Sequence, residues 1–135
     1  MKLPKPTAIL FDWDNTLVNT FPIIYQGLHD AFTAMGMEPW TFEDIMCNRD
    51  GIHHALRESF PRIFGERWEE ASKAYFDSFL ANHLEKMEVL PGASEMLDAL
   101  SQKDLFVAVV SNKTGKHLRT EVDFLGWQNY FDKIV

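Results

Sequence analysis

Apolar positions along this chain follow two different rhythms. Residues 7–11, TAILF, form a short unbroken apolar run after Pro4 and Pro6, and charge follows it at once. A run with no polar alternation predicts a strand covered on both faces, as in a parallel sheet. The rhythm then changes. Ile24, Leu28, Phe32 and Met35 recur at helical spacing and share one face, and Gly36 offers that helix its end. Thr41 stands where it can cap the helix start FEDIM, residues 42–46. Ile52, Ala55, Leu56 and Phe60 make a second stripe, which Pro61 is expected to stop. Trp68, Ala71, Tyr75 and Phe79 make a third. The span from about residue 20 to residue 86 therefore reads as three or four helices with no strand.

The strand signal returns late. LPG, residues 90–92, reads as a turn, and Met96, Leu97 and Leu100 mark a short helix. LFVAVV, residues 105–110, is the strongest strand in the sequence. Leu118, Val122 and Leu125 give another helix that Gly126 can end, and FDKIV, residues 131–135, reads as the start of a third strand. Without the helical insert the order is βαβαβ. The expected fold class is α/β, a parallel sheet of about three strands with an inserted helical segment. The division places residues 1–19 and 88–135 in a partial core domain and residues 20–87 in a helical domain.

Composition narrows the partners. Apolar residues make up 46% of the 135, the proportion of a folded globular domain, and the net charge is −7. An acidic chain is not expected to take nucleic acid as its main partner, because phosphate backbones require stripes of Lys and Arg. A small anionic substrate remains open, since local charge decides that. The longest apolar run is far below a membrane span, and the first is too short for a signal-peptide core. With the single cysteine, Cys47, no disulfide forms within the chain, and the expected location is cytoplasmic. Cys47 itself reads as a small buried apolar residue. Trp40, Trp68 and Trp127 read as packing residues, and the neighbours His53 and His54 as structural, since adjacent helical positions diverge by about 100°.

Two of the strands end in polar clusters: DWDNT, residues 12–16, and SNK, residues 111–113. Parallel strands bring such ends to one sheet edge, where ligands bind in open α/β folds. Asp12 and Asp14 are like charges one residue apart, a pair that calls for a cation to share or a proton to manage. Joined by Thr16, Ser111, Asn112 and Lys113, they suit phosphoryl transfer. One carboxylate can attack phosphorus, the other can move the proton, and hydroxyl, amide and ammonium groups can hold the phosphoryl oxygens. Hard carboxylate oxygens also suit Mg²⁺. In the helical segment, Arg49 of NRDG (48–51) and Arg57 are the candidates for a second anionic group of a substrate.

These residues resemble a known family. DWDNT matches the DxDx[TV] motif I of the haloacid dehalogenase superfamily, and VVSN (109–112) matches its motif II. The helical insert resembles the superfamily's C1 cap. LPGASEMLDAL (90–100) and SNK resemble the phosphoglycolate phosphatase-like branch. The resemblance implies a Rossmannoid core with Asp12 as nucleophile and Mg²⁺ ligand. It makes Asp14 the general acid/base, bound to the metal through its backbone carbonyl. Ser111 would hydrogen-bond the phosphoryl group, and Asn112 and Trp13 would contribute mainly backbone N–H groups. Since the superfamily's dehalogenases lack the second Asp, Asp14 points to phosphate chemistry. The implied activity is Mg²⁺-dependent hydrolysis of a small phosphorylated metabolite through an aspartyl-phosphate. The alternatives are a phosphomutase of the β-phosphoglucomutase type and a non-catalytic phosphate-binding or interaction module. The family carries a further Lys and an acidic cluster after its third strand, past Val135. The chain is accordingly expected to be the N-terminal part of a longer phosphatase and inactive by itself. The family's strand order, 5-4-1-2-3, would leave strand 1 as an open edge able to self-associate.

Overall fold

The computed structural model describes residues 1–47 and 56–135, so Arg49, His53 and His54 lie outside the described residues. The chain divides into two compact units, Phe21–His83 and Met1–Thr20 with Leu84–Val135.

The first unit is helical. Its elements are α1 (Phe21–Ala34), α2 (Phe42–Cys47), α3 (Leu56–Phe64), a 3₁₀ turn (Gly65–Arg67) and α4, which runs from Trp68 to Lys86. Leu28, Phe32 and Met35 of the expected α1 stripe are buried, and Ile24 packs beside them half-buried. Phe60, Phe64 and Tyr75 complete an aromatic centre, with Phe32 at 4.9 Å from Phe64 and Phe60 at 5.6 Å from Tyr75. Each such side chain contributes about 1.5–3 kcal/mol by leaving water. Gly36 ends α1 at a φ of +69°, with Met37 N–H donating to the Phe32 carbonyl at 2.9 Å. That left-handed turn is open to glycine at no steric cost. Thr41 caps α2 as expected. Its Oγ1 accepts from the Asp44 N–H at 3.1 Å, and Asp44 accepts from the Thr41 N–H at 2.8 Å. Hydrogen bonds from the Thr41 side chain and backbone hold the Asp44 carboxyl below its usual range.

Two expectations fail in this unit. Pro61 does not stop α3, which continues to Phe64. Phe60 and Phe64, one turn apart and both buried, sit 5.1 Å apart on either side of it. Their burial outweighs the roughly 3 kcal/mol that an interior proline costs a helix. Cys47 is exposed rather than buried. Ile45 takes the inward face of α2, and a residue two positions on is turned about 200° away.

A close contact explains Gly27. A Cβ built there would meet the Tyr75 ring at 2.7 Å. Gly27→Ala is expected to lower stability by about 1–3 kcal/mol through overpacking, despite the better helix propensity of alanine. Denaturant unfolding would check this; an unchanged midpoint would mean that the ring moves freely.

The second unit is the α/β one. Its strands are β1 (Ala8–Phe11), β2 (Val18–Asn19), β3 (Glu88–Val89), β4 (Phe106–Val109) and β5 (Lys133–Ile134), and its helices are α5 (Ala93–Ser101) and α6 (Gly115–Phe124). β1, β4 and β5 form a parallel sheet in that order, with Leu10 beside Ala108 and Ala108 beside Lys133. The three strands and both helices fall where the sequence predicts them. β1, expected to be covered on both faces, instead leaves Ala8 and Leu10 exposed, Leu10 at 64%, because it stands at one edge of this sheet. β2 and β3 pair antiparallel as a separate ribbon, Val18 against Val89. Two-residue strands carry no periodicity, so this ribbon has no counterpart in the sequence reading. Among the described residues no helix is long and apolar enough to cross a membrane.

Candidate active site

The loop after β1 reverses within a few residues. The Trp13 carbonyl accepts from the Thr16 and Leu17 N–H groups at 3.2 and 3.1 Å, and Asn15 adopts a φ of +59°. Asparagine is among the few residues that tolerate this conformation. The turn separates three neighbours. Asp12 is exposed, Trp13 is fully buried and the Asp14 side chain is one-third exposed. Trp13 packs edge-on against Trp127 and Phe131, at 5.9 and 6.5 Å.

The loop after β4 is carried to the same sheet edge by its backbone. Val110 N–H donates to the Phe11 carbonyl at 2.8 Å, and Ser111 N–H donates to the Val135 carbonyl at 3.0 Å. The Ser111 Oγ accepts from the Lys113 N–H at 3.1 Å, which turns the chain toward α6. Lys113 Nζ then donates to Asp14 Oδ1 at 2.8 Å and to Glu121 Oε2 at 2.7 Å. Trp13 Nε1 donates to the same Glu121 oxygen at 2.7 Å. Glu121 is fully buried, and the Lys113 side chain is 11% exposed.

The structure thus joins Asp14 to Lys113 by a direct ion pair and brings the Asp12 and Ser111 loops to neighbouring strand ends. Thr16 and Asn112 are exposed on those loops. Arg57 is exposed on α3, in the helical unit. Two features went unread in the sequence. Trp13 contributes its side chain as well as backbone, and Glu121 had no assigned part. A signal for Glu121 exists: it follows Leu118 by three positions and precedes Val122, so the inward stripe of α6 carries a carboxylate.

The donor chemistry suits a hard cation. Mg²⁺ is commonly held by one or two carboxylates, with substrate oxygens and water filling the remaining positions. Asp12 offers an exposed carboxylate. The Asp14 carboxylate is engaged by Lys113 through Oδ1, and it is the family resemblance that implies the Asp14 backbone carbonyl as the metal donor. Among the described residues no cluster of three or more His, Cys, Asp or Glu gathers as a protein-only metal cage.

The parallel α/β sheet carries an acidic loop and a Ser-Asn-Lys loop at one edge, and sequence comparison gives the class. The chain belongs to the haloacid dehalogenase-like hydrolase family, whose profile matches residues 9–135. More particularly, it is similar to a phosphoglycolate phosphatase of Agrobacterium fabrum, 30% identical, covering 98% of this chain and 59% of that protein. It is also similar to a pyrophosphatase of Halalkalibacterium halodurans, 29% identical over 95% of this chain and 58% of that protein. A haloacid dehalogenase-like family hydrolase from Streptococcus pneumoniae shares the fold at a TM-score of 0.84 and 23% identity, covering 96% of this chain and 60% of that one. The chain spans about three-fifths of the length of the curated relatives it matches.

Proposed function

We propose that this chain belongs to a Mg²⁺-dependent phosphatase acting on a small phosphorylated metabolite. The observation that carries the reading is the Asp14–Lys113 ion pair, 2.8 Å long, joining the loop that bears Asp12 to the loop that bears Ser111. Similarity to a phosphoglycolate phosphatase and to a pyrophosphatase supports the phosphate chemistry.

In this reading an Asp12 carboxylate oxygen attacks phosphorus, and the bond from phosphorus to the ester oxygen breaks. Asp14 gives its proton to the departing oxygen, which leaves as an alcohol. Asp14 then takes a proton from water, whose oxygen attacks the phosphorus of the aspartyl-phosphate. Inorganic phosphate departs and the Asp12 carboxylate is restored. Ser111, Thr16 and the Asn112 and Trp13 N–H groups orient the phosphoryl oxygens, and Lys113 balances their charge. The Asp12 carboxylate and the Asp14 carbonyl would hold Mg²⁺, which would supply further neutralisation of the phosphoryl group. Residues 1–19 with 88–135 act as the core, and residues 20–87 act as the cap that selects the substrate. Arg49 and Arg57 are its candidate anion contacts.

The test is phosphate release by the complete protein that contains this chain, with Mg²⁺, across phosphoglycolate, pyrophosphate and sugar phosphates. Turnover on at least one, lost with a chelator and restored by Mg²⁺, is expected. An isomerised sugar phosphate without released phosphate would instead establish a mutase. Binding of phosphate without turnover would reduce the chain to a binding module.

A further inference from the structure

Glu121 is a costly residue to bury. A carboxylate removed from water loses several kcal/mol of hydration even after relaxation, and an apolar residue of similar volume often serves stability as well or better. The inward stripe of α6 is otherwise apolar at Leu118 and Val122. Two donors from different loops meet the Glu121 Oε2: Trp13 Nε1 at 2.7 Å and Lys113 Nζ at 2.7 Å. Trp13 lies between Asp12 and Asp14, and Lys113 follows Ser111 and Asn112. A single buried atom therefore fastens both loops of the candidate site.

We propose that Glu121 is the positioning residue of this site: its carboxylate holds the Lys113 ammonium beside Asp14 and pins the Asp12–Asp14 loop through the Trp13 indole. This deepens the phosphatase reading and rests on it for the identity of the anion. A lysine side chain loses substantial rotamer entropy when ordered. Fixed in advance by an unreachable carboxylate, Lys113 meets an incoming phosphoryl group with that ordering already complete. Asp14, one-third exposed, is the partner that an anion can replace, whereas the fully buried Glu121 is not. The ammonium is thereby anchored by the buried Glu121 and faces the part-exposed Asp14.

The test is a double-mutant cycle in the complete protein, using Glu121→Leu, Lys113→Met and both together. Calorimetric titration with inorganic phosphate gives one readout. Lys113→Met is expected to raise the phosphate Kd by about tenfold or more, the size of one charge-assisted hydrogen bond. Glu121→Leu is expected to raise it by a similar factor, and to add little once Lys113 is already Met. Glu121→Gln, which keeps an acceptor at the same place, is expected to recover much of the affinity. A purely structural residue would not give that pattern. Overturning results are a phosphate Kd unchanged by Glu121→Leu, or one raised equally with and without Lys113. The ¹⁵N signal of the Lys113 ammonium is the second readout and does not depend on phosphate. An ordered, slowly exchanging ammonium in the parent that is lost in Glu121→Leu supports the proposal; one that persists overturns it. Should the parent bind no phosphate, the phosphatase reading fails, and the ammonium signal still decides the role of Glu121. Glu121→Met, which keeps the length of the side chain without an acceptor, takes the place of Glu121→Leu if the latter does not fold.

Discussion

Asp12→Asn is expected to abolish phosphate release, with kcat falling on the order of 10⁴-fold or more. The amide oxygen of asparagine is a poor nucleophile, and the other carboxylate on the loop after β1 is that of Asp14. In the proposed reaction Asp14 does not substitute, because its carboxylate is bound to Lys113 at 2.8 Å and has the proton to carry. The fold should be indifferent to the change. Asp12 is exposed just past the last residue of β1, and exposed substitutions of this kind usually stay within about 0.5 kcal/mol. Steady-state kinetics beside a thermal melt would check both halves. A variant that melts like the parent but retains a tenth of its rate would remove Asp12 from the nucleophile's place.

Lys113→Ala is expected to destabilise the protein by about 3 kcal/mol, measured by denaturant unfolding. The substitution strands the fully buried Glu121 carboxylate with a charge partner missing, although Trp13 Nε1 continues to donate to it. Against a typical total stability of about 5–15 kcal/mol, that loss is large. The pair variant Lys113→Met with Glu121→Leu should regain most of it, since two apolar side chains of similar volume carry no desolvation cost. A Lys113→Ala protein as stable as the parent would mean that water reaches Glu121. The effect would then resemble that of a surface ion pair, about 0–1 kcal/mol. This comparison separates the lysine's part in stability from its part in chemistry, because the apolar pair restores only the first.

Much of the α/β unit is legible from local pattern. TAILF and LFVAVV are apolar runs too short for helices, and they pair as neighbouring parallel strands with Leu10 beside Ala108, although only β4 is largely buried. Leu118, Val122 and Gly126 likewise foretell α6 and its end, because helical periodicity and a left-handed terminator are properties of a few adjacent residues. Pro61 and Cys47 were misread for one reason. Local preference names the residue, but the packing of Phe60, Phe64 and Ile45 sets which face turns inward.

The same division runs through the candidate site. Sequence order alone places Asp12 and Asp14 after one strand and Ser111, Asn112 and Lys113 after another, and a parallel sheet brings those ends together. Nothing local to Trp13, Lys113 or Glu121 says that they meet. Trp13 and Glu121 stand 108 positions apart, and Lys113 and Asp14 stand 99 apart. Their contact depends on how α6 seats against the sheet and on which side of that helix is sealed from water. A glutamate reads as a surface residue in any sequence. Only the packed helix turns it into a buried charge that must find its partners, and the partners it finds are the two loops of the site.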